Sequence, residues 1–217
     1  MAARVPHPPN LWTEGRRPWT VKYLHLMSDP VARFETVFAR AAQAAPFDPI
    51  AMALATSTPD GRPSCRIVLL HGVDARGFVF YTNYDGRKAR ELDANPQAAL
   101  CFYWPWTEEQ VRVEGRVTRV SAEESDVYFA TRPRGSQVGA WASRQSERLA
   151  SREELVARVA EVEARFEGRD VPRPAHWGGY RLSPDRLEFW KAEAFRLHHR
   201  EVYERTERGW QQSLLSP

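Results

Sequence analysis

Cations and hydroxyls gather at the ends of strand-like runs in this chain, and that pairing of residue types binds anions. The densest case is Arg66 to Lys88, RIVLLHGVDARGFVFYTNYDGRK. Arg66 opens an apolar run, Ile67-Val68-Leu69-Leu70. A second β-rich run, Phe78 to Thr82, leads through Asn83-Tyr84-Asp85-Gly86 into the paired cations Arg87-Lys88. The turn residues Asp74-Ala75-Arg76-Gly77 between them predict a hairpin. In an antiparallel pair the start of one strand lies beside the end of the other. Arg66, Thr82, Arg87 and Lys88 are therefore expected to converge on one anion, a phosphate site built from side chains without a Gly-rich loop.

More polar groups follow at other strand and helix ends: Gln110; Tyr128, Arg132 and Ser136; Gln145 and Ser146; Arg196, His198 and Arg200. Singly, each reads as a solvated residue or a cap, and a lone His198 is more often structural than catalytic. Together they exceed what a bland surface needs. No Ser/His/Asp or Cys/His order stands out, which argues against nucleophilic catalysis. Cys65 and Cys101 have no zinc spacing and read as buried free thiols. Glu108-Glu109 reads as an exposed strand end.

The elements that must position these groups are short. Asp29 caps a helix whose first residue is Pro30 and whose apolar face is Phe34, Val37, Phe38 and Ala41; it stops before Pro46. Ala51 to Ser57 is a strand, followed by the turn Pro59-Asp60-Gly61-Arg62-Pro63. Arg87 to Ala94 is a short helix ended by Asn95-Pro96. Ala98 to Trp104 is a strand. Gln110 to Val120 alternates, with Val111, Val113 and Val117 inward and a bulge or bend at Gly115. Ser121 opens a helix through Phe129, the segment Arg132-Pro133-Arg134-Gly135 breaks it, and Ser136 to Ser146 reads as helical. Ser151 opens a longer helix with Leu155, Val159, Val162 and Phe166 on one face. Trp177 to Leu182 and Arg186 to Lys191 read as two strands around Ser183-Pro184-Asp185, and His199 to Thr206 with Trp210 to Leu215 as a last hairpin. The total is about eight strands with intervening helices, mainly antiparallel β with helices in the α+β class. There is no βαβ alternation, no GxGxxG and no Walker sequence.

The chain has 217 residues, enough for residues 28–217 to form a single domain behind a flexible N-terminal arm, residues 1–27. A net charge of +3 suits an anionic ligand but is too weak to argue for nucleic acid. No run reaches transmembrane length and the N-terminus lacks a signal-peptide core, so a cytoplasmic protein without membrane or nucleic-acid partners is expected.

The motifs RIVLLH, GFVFYTNYDGRKARELDANPQAALCFYW, EEQVRVEGRV, YFATRPRGSQVGAWASRQS, HWGGYRLSPDRLEFW and RLHHR, in this order, resemble the pyridoxamine 5'-phosphate oxidase family from Asp48 to Pro217. The resemblance implies a split β-barrel binding flavin mononucleotide (FMN), a homodimer with FMN at the subunit interface. It implies that Arg66 and Lys88 bind the FMN phosphate, with Thr82 and Arg87 close by. It places Ile67, Val68, Leu69, Leu70 and Tyr81 beside the cofactor and adds Gln110, Gln145, Ser146, Trp190 and Arg200 as further contacts. It sets the substrate phosphate on His71, Tyr128, Arg132 and Ser136, and makes Arg196 and His198 the catalytic pair beside the substrate ring. The implied reaction oxidises pyridoxamine and pyridoxine 5'-phosphates to pyridoxal 5'-phosphate, with O2 as acceptor and H2O2 as product, in vitamin B6 biosynthesis.

The chain departs from the family pattern at five places. His71 stands where Lys is usual, Glu109 where Arg is common, and His199 where Asp is usual. The arm lacks a clear Arg-and-Tyr lid, and Leu214 replaces an Arg near the C-terminus. These departures leave the flavin side nearly intact and alter the substrate side. Two alternatives follow: an FMN-dependent paralogue oxidising another aromatic or dihydroaromatic metabolite of phenazine type, and a non-catalytic FMN or pyridoxal-phosphate binding protein.

Overall fold

The structure, a computed structural model, describes residues 29–217. Ser28 and the expected arm lie outside the described residues. Helix α1 (Pro30–Gln43) starts as its sequence dictates: Asp29 accepts the Val31 N–H at 2.9 Å and Pro30 takes the first helical position. Its apolar stripe is buried, and Phe34 meets Phe78, Phe102 and Trp104 in tilted and edge contacts.

The strands are β1 (Ala51–Ser57), β2 (Pro63–Leu69), β3 (Gly72–Asp74), β4 (Gly77–Asn83), β5 (Gln97–Trp104), β6 (Glu109–Arg119), β7 (Trp177–Lys191), β8 (His199–Thr206) and β9 (Gly209–Leu214). The order is β2-β1-β5-β6-β7-β4-β3, all antiparallel, with β8 between β7 and β9. The sheet curls until β2, at one end of this path, approaches β4 near the other. Helices α2 (Arg87–Ala94), α3 (Ala122–Thr131), α4 (Arg134–Ala142) and α5 (Arg152–Arg165) complete the fold. A second, smaller apolar cluster holds Phe129, Val138, Phe166 and Trp177.

Four expectations need correction. The hairpin partner of β2 is β1, not β4, because the turn at Thr58–Arg62 folds β2 straight back, with Leu69 opposite Ala51. The tight hairpin of this region is β3–β4, Asp74 opposite Gly77. The two strands expected around Pro184 are one, β7. Its register against β6 shifts beside Gly115, and a Cβ on Gly115 would lie 2.1 Å from the Ser183 carbonyl oxygen, so only glycine fits the bulge. There β7 changes its other neighbour from β4 to β8, and the barrel splits. The helix expected through Ser146 ends at Ala142, and Ser146 sits at φ 71°. Finally, Cys65 is exposed and Cys101 half-buried; both are free. Cys65 shares the outward face of β2 with Ile67 and Leu69.

Candidate active site

The route to convergence differs from the one expected, but the convergence holds. Barrel closure, with α2 laid against β1, brings Arg66, Thr82, Arg87 and Lys88 together. Lys88 Nζ donates to Thr82 Oγ1 at 3.0 Å and to Gln145 Oε1 at 2.6 Å. The Arg87 N–H donates to Ser146 Oγ at 3.2 Å. Gly86 brings no side chain to cap α2, and a Cβ there would sit 2.5 Å from Gln145 Oε1. Burial, and then the charge of Arg66, push the Lys88 ammonium below its ordinary pKa. Two cations held half-buried side by side fit a dianionic phosphate, which would offset both costs.

Behind them lies a residue that sequence reasoning missed. Glu91, 5% exposed on the inner face of α2, accepts from Thr56, Ser64, Arg66 Nη2 at 3.3 Å and Arg87 Nε at 2.8 Å. Burial alone would raise its pKa, but bonds from Ser64, Thr56 and Arg87 carry it down to about 2. Its signal was helical spacing: Glu91 follows Arg87 by one turn.

A second cluster forms on the opposite face of β4, around Tyr81. Its ring stacks on Tyr128 at 4.1 Å and on Trp177 at 5.4 Å. Tyr81 thus sits apart from Thr82, its neighbour in sequence, because successive strand residues face opposite ways. His71 Nε2 lies 2.8 Å from the Tyr128 hydroxyl. Burial first, then the Arg132 charge, lower the His71 pKa to about 4, against a small opposing pull from Asp48. His71 is neutral at pH 7. Arg132 caps α3 and lies over the Trp177 ring at 4.6 Å, with its buried Nη1 unpartnered among the described residues. A desolvated guanidinium nitrogen without an acceptor suits an incoming anion. Ser136 stands in the first turn of α4, four residues beyond Arg132.

The third group lies on the outer face of β6, β7 and β8. Gln110 pairs in register with Trp190, and Trp190 with Arg200. Arg200 donates Nε and Nη2 to Glu188, each at 2.9 Å, and Nη1 to the Ser216 carbonyl. Glu188, 2% exposed, also holds Arg112 and Arg186. The loop after β7 carries Arg196 and His198 beside an open cleft of about 660 Å³ lined by Lys191, His198, Arg200 and Leu214. Phe195 and Arg196 both have positive φ, 59° and 64°, and Phe195 is 93% exposed. The Glu193 N–H donates to His198 Nδ1 at 3.2 Å, so the neutral ring carries its proton on Nε2, and Trp190 packs against it at 4.7 Å.

Glu109 corrects the expectation of an exposed strand end. It is buried, 6% exposed, and it does not face the Gln110 group: it points into α1 and accepts from Arg40 Nε at 3.2 Å and from Nη2. The charge reversal at this position is absorbed by a local ion pair. His199 lies 3.7 Å from Glu201, and Leu214 is exposed.

The sequence profile described as pyridoxamine 5'-phosphate oxidase matches residues 38–166, and that of the pyridoxine 5'-phosphate oxidase C-terminal dimerisation region matches residues 177–217. The chain is 62% identical over 189 residues, 87% of each chain, to the pyridoxine/pyridoxamine 5'-phosphate oxidase of Rubrobacter xylanophilus. It is 58% identical over 202 residues to the Myxococcus xanthus DK1622 protein of that name, covering 93% of this chain and 98% of that one. Among solved structures, PhzG of Burkholderia lata, in complex with tetrahydrophenazine-1-carboxylic acid, superposes with a TM-score of 0.83 at 37% identity, over 88% of this chain and 93% of that one. An FMN-binding protein of Nostoc punctiforme, at 18% identity and a TM-score of 0.68 over 85% of this chain and 97% of that one, shares the fold. Profiles matching both halves of the chain, with relatives this similar along most of its length, show that it belongs to the pyridoxamine 5'-phosphate oxidase family.

Proposed function

We propose that this oxidoreductase converts pyridoxamine and pyridoxine 5'-phosphates to pyridoxal 5'-phosphate, passing electrons to O2 and releasing H2O2. The cofactor is FMN. The observation that carries the reading is the presence of two separate cationic sites, Arg66–Lys88 and Arg132, on opposite faces of β4 with aromatic rings beside the second. A phosphorylated cofactor and a phosphorylated aromatic substrate need two such sites.

When bound, FMN supplies the redox chemistry, taking a hydride from the substrate's C4' carbon and returning electrons to O2. The protein's own work is binding and orientation. Arg66 and Lys88 neutralise the cofactor phosphate, with Thr82, Arg87, Gln145 and Ser146 around it. Arg132, Tyr128, His71 and Ser136 hold the substrate phosphate. Arg196, without an ion pair among the described residues, covers the substrate ring, and His198 presents Nε2–H to it.

Strand alternation supports a homodimer. Arg66 faces inward with its register partner Leu54, whereas Gln110, Trp190 and Arg200 lie on the outer face with Arg112 and Glu188. One flavin cannot reach through the sheet to both groups of one chain. A second copy, presenting its own outer group, would complete the site. Among the described residues no helix is long and apolar enough to cross a membrane.

One observation favours a second reading. His71 leaves Arg132 as the sole fixed cation of the substrate group, which also suits a monoanion such as the carboxylate of a reduced phenazine acid. Steady-state turnover of pyridoxamine 5'-phosphate and of unphosphorylated pyridoxamine separates them. The leading reading expects kcat/KM to fall by roughly a hundredfold or more without the phosphate, the size of a lost charge-assisted anchor. Equal values would remove the phosphate role of Arg132.

A further inference from the structure

We infer that Glu91 is a positioning residue of the FMN phosphate site, fixing Arg66 and Arg87 and setting the charge that the site presents. This rests on the reading of the Arg66–Lys88 cluster as that phosphate site.

Glu91 lies on α2, one turn after Arg87 and three residues after Lys88, with its carboxylate directed at β1 and β2. One oxygen accepts from Arg87 Nε at 2.8 Å. The other is shared by Thr56, Ser64 and Arg66 Nη2. Arg66 is gripped further: Nη1 donates to the Leu54 carbonyl at 3.1 Å and to Thr56 Oγ1, and Nη2 to Ser64 Oγ. With both terminal nitrogens engaged on this frame, the guanidinium cannot rotate freely. Among the described residues, Lys88 alone of the three cations has no carboxylate partner; it is held by Thr82 and Gln145 instead.

The charge count gives the arrangement its purpose. Arg66, Arg87 and Lys88 carry three positive charges, and Glu91 removes one, leaving two. A phosphate monoester carries close to two negative charges at pH 7. Three crowded cations without Glu91 would repel one another, as Arg66 already does Lys88. A carboxylate that remains ionised down to about pH 2 keeps this balance over the whole working range.

The test compares FMN with riboflavin, which lacks the phosphate, by fluorescence titration of the apoprotein. Glu91→Gln preserves shape and removes the charge. We expect FMN affinity to fall roughly tenfold or more, the scale of one disordered charge-assisted contact. Riboflavin affinity should not move, and the loss should shrink in an Arg66→Ala background. Three results overturn the inference: unchanged FMN affinity, equal losses for both flavins, or a full-sized Glu91 effect without Arg66. If Arg66→Ala itself leaves FMN binding intact, the phosphate-site reading fails first. If E91Q binds neither flavin, Glu91→Asp decides. It keeps the charge but withdraws it by one methylene, so it should weaken FMN selectively; parent-like FMN affinity in that variant overturns the inference.

Discussion

Lys88→Met should move cofactor affinity and protein stability in opposite directions. The substitution keeps an unbranched stem and removes the ammonium, which donates to Thr82 and Gln145 at 3.0 and 2.6 Å. A unit charge pair about 4 Å apart at an effective dielectric near 20 is worth ~4 kcal/mol. Part of that is lost in desolvating the lysine, and a hydrogen bond to a charged group nets about 1.5–3 kcal/mol. A loss of about 2–4 kcal/mol corresponds to a roughly 30- to 1,000-fold weaker FMN complex. The apoprotein should respond the other way. Burial and Arg66 hold the folded-state pKa of Lys88 below the unfolded one, so the folded state disfavours the cation. Below both values that penalty is fully present, and the substitution relieves it. Equilibrium dialysis gives the affinity and a thermal melt of the apoprotein gives the stability. FMN affinity within threefold of the parent, or a melt that drops in step with affinity, would refute the placement of the phosphate.

Arg196→Ala should lower kcat while FMN stays bound; loss of flavin on gel filtration would show that Arg196 serves the cofactor instead. His71→Lys adds a cation beside Arg132 and should lower KM for pyridoxamine 5'-phosphate several-fold without changing KM for pyridoxamine, which steady-state kinetics reads directly. His71 also carries a pH signature. Its folded pKa of about 4 lies below the ordinary value, so the unfolded chain binds the extra proton and stability falls as pH drops from about 6.5 toward 4. His71→Gln should flatten that loss, about 1–2 kcal/mol at pH 5, in urea titrations. Glu109→Gln leaves Arg40 without its buried partner and should cost about 1–2 kcal/mol of stability, less than a fully buried pair because Arg40 is half exposed, with FMN affinity unchanged.

Local rules carried most of the fold. The N-caps at Asp29, Ser121 and Ser151 accept the N–H groups of Val31, Glu124 and Glu154. The alternation from Val111 to Val117 gave the buried face of β6, and Gly115 marked the bulge. What failed was partner choice. Period two cannot say which neighbour a strand pairs with: the run from Arg66 reads as pairing through the Asp74–Gly77 turn, whereas β2 folds back on β1 through the turn at Thr58–Arg62. Pro184 reads as a turn in sequence because the bulge that accommodates it depends on Gly115, far away in the chain. The clustering of these cations was legible because Thr82 and Lys88 sit at a strand end and a helix start; Arg66, expected to open a strand, lies in the middle of β2 and joins them through barrel closure. Glu91 and Glu188 were not, since a buried carboxylate looks like a surface one until its arginines are placed around it. Glu109 shows the reverse: the missing information was Arg40, on a helix that sequence spacing does not connect to β6.

The central claim is that a flavin held by Arg66 and Lys88 is reduced by a phosphorylated B6 vitamer held by Arg132, Tyr128 and His71. Mixing the purified yellow protein anaerobically with pyridoxamine 5'-phosphate and following the flavin absorbance tests it directly. The account predicts rapid bleaching, recovery of the yellow form on admitting air, and pyridoxal 5'-phosphate formed together with H2O2. A flavin that stays oxidised with this vitamer and with pyridoxine 5'-phosphate, yet bleaches with a reduced phenazine carboxylate, would contradict it.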